Sequence, residues 1–172
     1  LALWFPWLPS DRLRRGASAG DASPDFAPVV LVEKVGGALR LAAVDPAAAR
    51  AGLTPGLTLA DARARTPSLR TVVHRPEADA ALLLRVLEDF GRFTPMIALD
   101  PPHGLMLDVT GCAHLFGGET GLMRTVQARA ERAGLKIRCA LAGTPQVARA
   151  LARFSPGGRF EPGQDRAAAR RL

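Results

Sequence analysis

Carboxylates able to do chemistry are sparse where a hairpin-like segment, Asp100-Pro101-Pro102-His103-Gly104-Leu105-Met106-Leu107-Asp108, would present them. Two Mg²⁺ ions held through hard oxygens would need Asp100 and Asp108 on one face. Each also has a plainer role. Asp108, beside Thr110-Gly111, reads as a turn ligand, and Asp100, before Pro101-Pro102, as a turn residue. His103 lies in the turn and suits softer metals. His114 and Cys112 are close in sequence but lack further ligands around them. Cys139 reads as a small core residue. Two cysteines without a CxxC pair cannot cage zinc, so reduced thiols and no metal site are expected.

Phosphate contact would fall to arginine, whose fork matches phosphate geometry. Arg149 and Arg153, at i and i+4, share one face of a helix, where phosphate contact and a solvated face are both open readings. Arg12, Arg14 and Arg15 form a basic cluster ahead of a Ser/Gly/Asp-rich stretch, a candidate for DNA-backbone contact. Trp4, Phe5 and Trp7 are either a stacking platform for bases or, as the first strand of a sheet, core.

The elements that must position these residues are legible. Leu1–Trp7 reads as a buried strand and residues 10–27 as a turn or short helix followed by a loop. Pro28–Glu33 and Leu39–Val44 read as a hairpin across Gly36-Gly37. Residues 46–66 read as two short helices broken by Gly52 and Gly56. Leu83, Val86, Leu87 and Phe90 recur at helical spacing over 76–92. Met96–Leu99 and Leu105–Val109 flank the Pro101–Gly104 turn. Glu119–Ala133 is an amphipathic helix stopped by Gly134, and Ile137–Leu141 is a strand. Thr144-Pro145 caps a helix running to Phe154. The order predicts an α+β, ferredoxin-like layer: a mixed antiparallel sheet with helices on one side. Residues 1–45 and 67–155 would form it, 46–66 would be a helical insertion, and 156–172 a linker.

Several stretches together resemble the palm and fingers of Y-family (translesion) DNA polymerases, over about residues 1–155. Leu105-Met106-Leu107-Asp108-Val109-Thr110-Gly111 with Leu115-Phe116-Gly117-Gly118 is similar to the palm. Ala51–Ala62 is similar to the fingers, and Thr66-Pro67-Ser68-Leu69 to the segment that follows them. The resemblance implies metal-binding carboxylates in an N-terminal segment and in the hairpin. Here Trp4 and Pro6 stand at the first pair of positions and His103 and Gly104 at the second, none of them a carboxylate. In the triphosphate-binding stretch the aligned Tyr is Pro46 and the aligned Arg is Ala49, while Arg50 falls on the Lys or, with a one-residue slip, replaces that Arg.

Trp4-Phe5-Pro6-Trp7-Leu8-Pro9 and the Leu107–Gly118 stretch resemble the ImuB-type branch of this family, bacterial paralogues without polymerase activity. Membership would imply a non-catalytic scaffold in damage-induced translesion synthesis. Its partners would be DNA, an ImuA-like RecA-related protein, an error-prone DnaE-type polymerase and the β sliding clamp, engaged in part through a thumb, little finger and tail beyond this segment. No cofactor is implied; Mg²⁺ enters only under the rival reading, an active but divergent polymerase using Asp100 and Asp108. A second rival is a plain DNA-binding module.

Composition agrees with a nucleic-acid partner without requiring one. The 172 residues carry a formal charge of +7, and all basic residues except Lys34 and Lys136 are Arg. A GC-rich genome, which raises Arg and Ala together, is the plainer source. The charge is uneven: +4 over residues 1–75, −4 over 76–118 and +7 over 119–172. Apolar runs are far shorter than the roughly 20 residues a membrane span needs. Leu1–Pro9 lacks the basic start and cleavage site of a signal peptide. A trimmed cytoplasmic chain is expected.

Overall fold

A computed structural model describes residues 1–16, 27–160 and 164–170. Two compact units emerge. One joins Leu1–Pro6 to the chain from Ala80 onward; the other is Trp7–Asp79.

The first unit holds a five-stranded sheet of order β5-β6-β1-β7-β8. These strands are β1 (Ala2–Trp4), β5 (Ile97–Asp100), β6 (Gly104–Leu107), β7 (Arg138–Leu141) and β8 (Gly158–Arg159). The helix α4 (Pro76–Phe90) enters the unit from its neighbour, and α5 is Glu119–Arg132. Reading β1-α4-β5-β6-α5-β7 in chain order gives the ferredoxin-like βαββαβ path, with β1 antiparallel to both β6 and β7.

Period-2 alternation divides the sheet. Ala2, Met106 and Ala140 are register partners on one face, and Leu3, Leu105 and Cys139 on the other. On the first face lies α6 (Pro145–Phe154), whose Ala148, Leu151 and Ala152 pack with Ala2 and Ala140 in one buried cluster. Alanines on both sides let this helix approach the strands closely. Thr144 caps α6, its Oγ1 accepting from the Val147 amide. On the other face Leu3, Leu105 and Cys139 are buried in turn, and α5 contributes Leu122, Val126 and Ala130 to the core. Phe90, Phe93 and Phe116 stack edge to face and tilted, at 5.5 and 5.6 Å.

Two described stretches of 156–172, read from sequence as a linker, form elements. β8 pairs in parallel with β7, Phe160 packs beside the α6 cluster, and α7 (Gln164–Ala169) follows. A two-residue strand among Ser155-Pro156-Gly157-Gly158 is too short to show a period.

The second unit begins with α1 (Leu8–Gly16) and has its own sheet, of order β3-β2-β4. β2 (Val29–Val35) and β3 (Ala38–Val44) form the expected hairpin, with Gly36 and Gly37 both at positive φ. Two short helices follow as expected, α2 (Pro46–Arg50) and α3 (Leu59–Arg65), capped by Asp45 and Thr58. The sequence reading placed 28–44 in the first sheet and saw no strand at β4 (Arg70–Val73). Instead β4 pairs in parallel with β2, and these strands make a separate layer. Its core is Val30, Val32, Leu41, Val44, Leu53 and Leu59, with Trp7 packed against it.

Candidate functional site

The polymerase-like positions converge at one end of the first unit's sheet. Trp4 closes β1, opposite Gly104 of β6 on one side and Arg138 of β7 on the other. The Phe5 amide donates to the His103 carbonyl at 2.8 Å, which draws the β5–β6 turn against the end of β1. The Trp4 and His103 rings lie 5.8 Å apart. The aligned positions Trp4, His103 and Gly104 therefore meet in space, and Pro6 follows two residues after Trp4.

What they meet is cationic. The Arg153 guanidinium lies over the Trp4 ring, 4.4 Å from its centroid. Its Nη2 donates to Asp100 Oδ2 at 3.0 Å and to the Pro101 carbonyl at 3.2 Å. Arg149 Nε reaches Asp100 Oδ1 at 2.8 Å. Thus the i, i+4 pair on α6 shares one carboxylate on β5. The side chains of Asp100 and Arg153 are 12% and 18% exposed, so this pair is largely shielded from water, whereas Arg149 is half exposed. Arg138, the cross-strand partner of Trp4, adds a third guanidinium to the same face; burial holds its pKa below the ordinary value.

Gly104 shows how closely this turn is built. A Cβ at this position would stand 2.7 Å from the Asp100 carbonyl oxygen and 3.0 Å from Asp100 Oδ2. The backbone approach at the Asp100–Gly104 pair requires glycine, so the position has no room for a longer side chain unless the hairpin shifts.

Asp108 is not part of this cluster. Its amide bonds to Met96 at the far end of the hairpin, four residues along the strand from the Asp100–Gly104 pair. That separation is about 13 Å, against the roughly 3.5–4 Å between paired catalytic metals. Asp108 Oδ1 accepts from the Thr110 amide at 3.0 Å, and hydrogen bonding from Thr110 holds its carboxyl below the usual range. The expected turn-ligand role is borne out.

Other candidates lie elsewhere in this unit. Cys139 is buried, and desolvation pushes its thiol up to about 11. His114 lies on the single 3₁₀ turn Ala113–Phe116, just after Cys112. Among the described residues no three His, Cys, Asp or Glu side chains gather into a group able to hold a metal ion. The trio of aromatics is no single platform: Phe5 is fully buried, Trp7 belongs to the second unit's core and Trp4 stacks with Arg153.

In the second unit, Arg12 Nε pairs with Asp79 Oδ1 at 2.5 Å, and Asp79 Oδ2 also bonds His74 Nε2 at 3.0 Å. Arg12 is thereby committed to a largely buried network. Arg14 stays exposed beside Asp11, at 3.5 Å, and Arg15 is exposed at the end of α1. Arg50 ends α2 and is exposed. The sequence marked Arg149 and Arg153 by spacing; their shared acceptor Asp100, some fifty residues away, carried no local signal.

The fold is that of Y-family polymerase palm and fingers. A post-insertion binary complex of Dbh DNA polymerase matches at a TM-score of 0.80 and 19% identity, over 97% of this chain and 49% of that one. DinB from Sulfolobus solfataricus matches at 0.73 and 19% identity, over 93% and 47%. By sequence, residues 24–153 match the impB/mucB/samB family, and the chain belongs to it. Protein ImuB of Caulobacter vibrioides strain NA1000 / CB15N is 42% identical over 118 residues, and the protein of the same name from strain ATCC 19089 / CIP 103742 matches equally. That alignment covers 69% of this chain and 26% of the relative, so the chain spans about a quarter of the length of the curated relatives it matches.

Proposed function

We propose that this chain is the palm and fingers of a non-catalytic polymerase-like scaffold that organises an error-prone polymerase complex on DNA during damage-induced mutagenesis. The observation that carries the reading is the Trp4–Arg153–Asp100 stack at the polymerase-like end of the sheet. Metal-dependent phosphoryl transfer needs clustered anionic oxygen at that point, to hold two divalent cations and offset the phosphate charge. This end of the sheet supplies an indole and guanidinium groups around a single carboxylate. Mg²⁺ does not fit such a donor set, since Trp and Gly offer it no side-chain oxygen and Asp100 is already paired.

A scaffold keeps the fold for recognition and needs no chemistry at its centre. DNA contact would fall to the exposed guanidiniums of Arg14, Arg15 and Arg50, and to half-exposed Arg149, through salt-dependent phosphate pairing. The partners under this reading are an ImuA-like RecA-related protein, a DnaE-type polymerase and the β sliding clamp, in a cytoplasmic complex. None of the described helices is long and apolar enough to cross a membrane.

The rival polymerase built on Asp100 and Asp108 is disfavoured by the strand register, which separates the two carboxylates by about 13 Å. Affinity capture from damaged cells tests the scaffold reading. Recovery of the DnaE-type polymerase and the RecA-related protein with the full-length protein is expected. Recovery of DNA alone, with binding that collapses as salt rises, would favour a plain DNA-binding module.

A further inference from the structure

The arginine cluster bears on more than the lost carboxylates. Resting on the non-catalytic reading, we propose that Arg153, with Arg149 and Arg138, bars divalent cations from this end of the sheet. Restoring carboxylates at positions 4 and 103 would then not rebuild a metal centre.

The guanidinium of Arg153 already occupies the space over position 4, at 4.4 Å from the Trp4 ring centroid. A carboxylate placed there would find an ion-pair partner in reach and be neutralised by it. Arg149 and Arg153 hold both oxygens of Asp100, withdrawing that carboxylate from metal coordination. Arg138 comes from the adjacent strand, on the same face as Trp4. The two guanidiniums on Asp100, with a third on the sheet face that carries Trp4, repel a divalent cation, and the repulsion is strong where water is partly excluded. The second obstacle is steric. The position aligned with the second hairpin carboxylate is Gly104, where a Cβ would press on the Asp100 backbone at 2.7 Å. Charge therefore bars the ion and the backbone bars a carboxylate at position 104, and restoring carboxylates at positions 4 and 103 would undo neither.

Mn²⁺ binding tests this, followed as loss of the free-ion electron paramagnetic resonance signal. The proteins are the full chain as wild type, the double variant W4D/H103D, and W4D/H103D/R149M/R153M, in which methionine keeps the apolar stem and removes the charge. Far-UV circular dichroism and a cooperative melt confirm folding. If the quadruple variant does not fold, W4D against W4D/R153M gives the same comparison. Relieving the repulsion should raise Mn²⁺ affinity about tenfold or more over the double variant. Equal binding by the two variants, within about twofold, would overturn the proposal, and so would failure of the folded quadruple variant to bind Mn²⁺. Templated incorporation by the wild-type protein would instead sink the non-catalytic reading, so the two failures are read from different samples.

Discussion

Arg153 lays its guanidinium over the Trp4 ring at 4.4 Å, joining α6 to the end of β1 where Y-family resemblance places a carboxylate. The same guanidinium donates to Asp100 on β5, so three elements of the sheet layer are braced at one point.

Asp100 is the shared acceptor of two arginines and is largely buried. Removing it leaves Arg153, largely shielded from water, without its carboxylate and beside a second guanidinium. Asp100→Ala is expected to cost about 2–3 kcal/mol of stability. Arg149→Ala should cost well under half as much, because that side chain is half exposed. Urea unfolding of both variants checks the ranking.

Gly104→Ala is expected to destabilise by about 1–3 kcal/mol through overpacking against the hairpin backbone. Gly56→Ala, where nothing lies within 4 Å, has no such clash and pays only for its positive φ. A larger drop in urea midpoint for Gly104→Ala than for Gly56→Ala, without a change in slope, checks the ranking.

Asp89 and Arg129 join α4 to α5 through two hydrogen bonds of 2.6 Å each. Hydrogen bonding from Arg129 lowers the Asp89 pKa below its ordinary value of 3.8. A depressed carboxylate pKa contributes stability that is present above the unfolded value and lost as pH falls through the folded one. Asp89→Asn should therefore lower the melting temperature slightly at pH 7, and the deficit should shrink and disappear as pH falls below 3.8 and through the lowered Asp89 pKa. Salt should shrink it as well.

Arg12 and Arg15 should part company. Arg12 is tied to Asp79 and its alanine variant should lose stability, by about 2 kcal/mol, with little change in the salt dependence of DNA binding. Arg15 is exposed, and Arg15→Ala should leave the melt unchanged while lowering the salt slope of binding by about 1.

Much of the fold was legible where local chemistry sufficed. Thr144-Pro145 marks the start of α6 and Gly36-Gly37 the β2–β3 hairpin, because caps and turns are read within a few residues. The two-residue strand Gly158–Arg159 escaped among Pro156, Gly157 and Gly158, and Arg70–Val73 escaped because it shows no alternation of buried and exposed residues. The assignment of β2 and β3 to a second sheet depends on β4, so it was lost with it. At the site, the absence of carboxylates at positions 4, 6, 103 and 104 was visible by alignment with the family. What replaced them was not. The Arg153–Asp100 and Arg12–Asp79 pairs span 53 and 67 residues, distances over which only the folded chain chooses partners. The loop read within 10–27 lies, over 17–26, outside the described residues, as do 161–163 and 171–172 of the expected linker.

Under the scaffold reading this end of the sheet performs no nucleotidyl transfer. Primer extension by the purified full-length protein, with Mg²⁺ or Mn²⁺ and all four dNTPs, tests it most directly. No template-directed incorporation is expected with either metal. Reproducible incorporation that follows the template and disappears on chelation would contradict it.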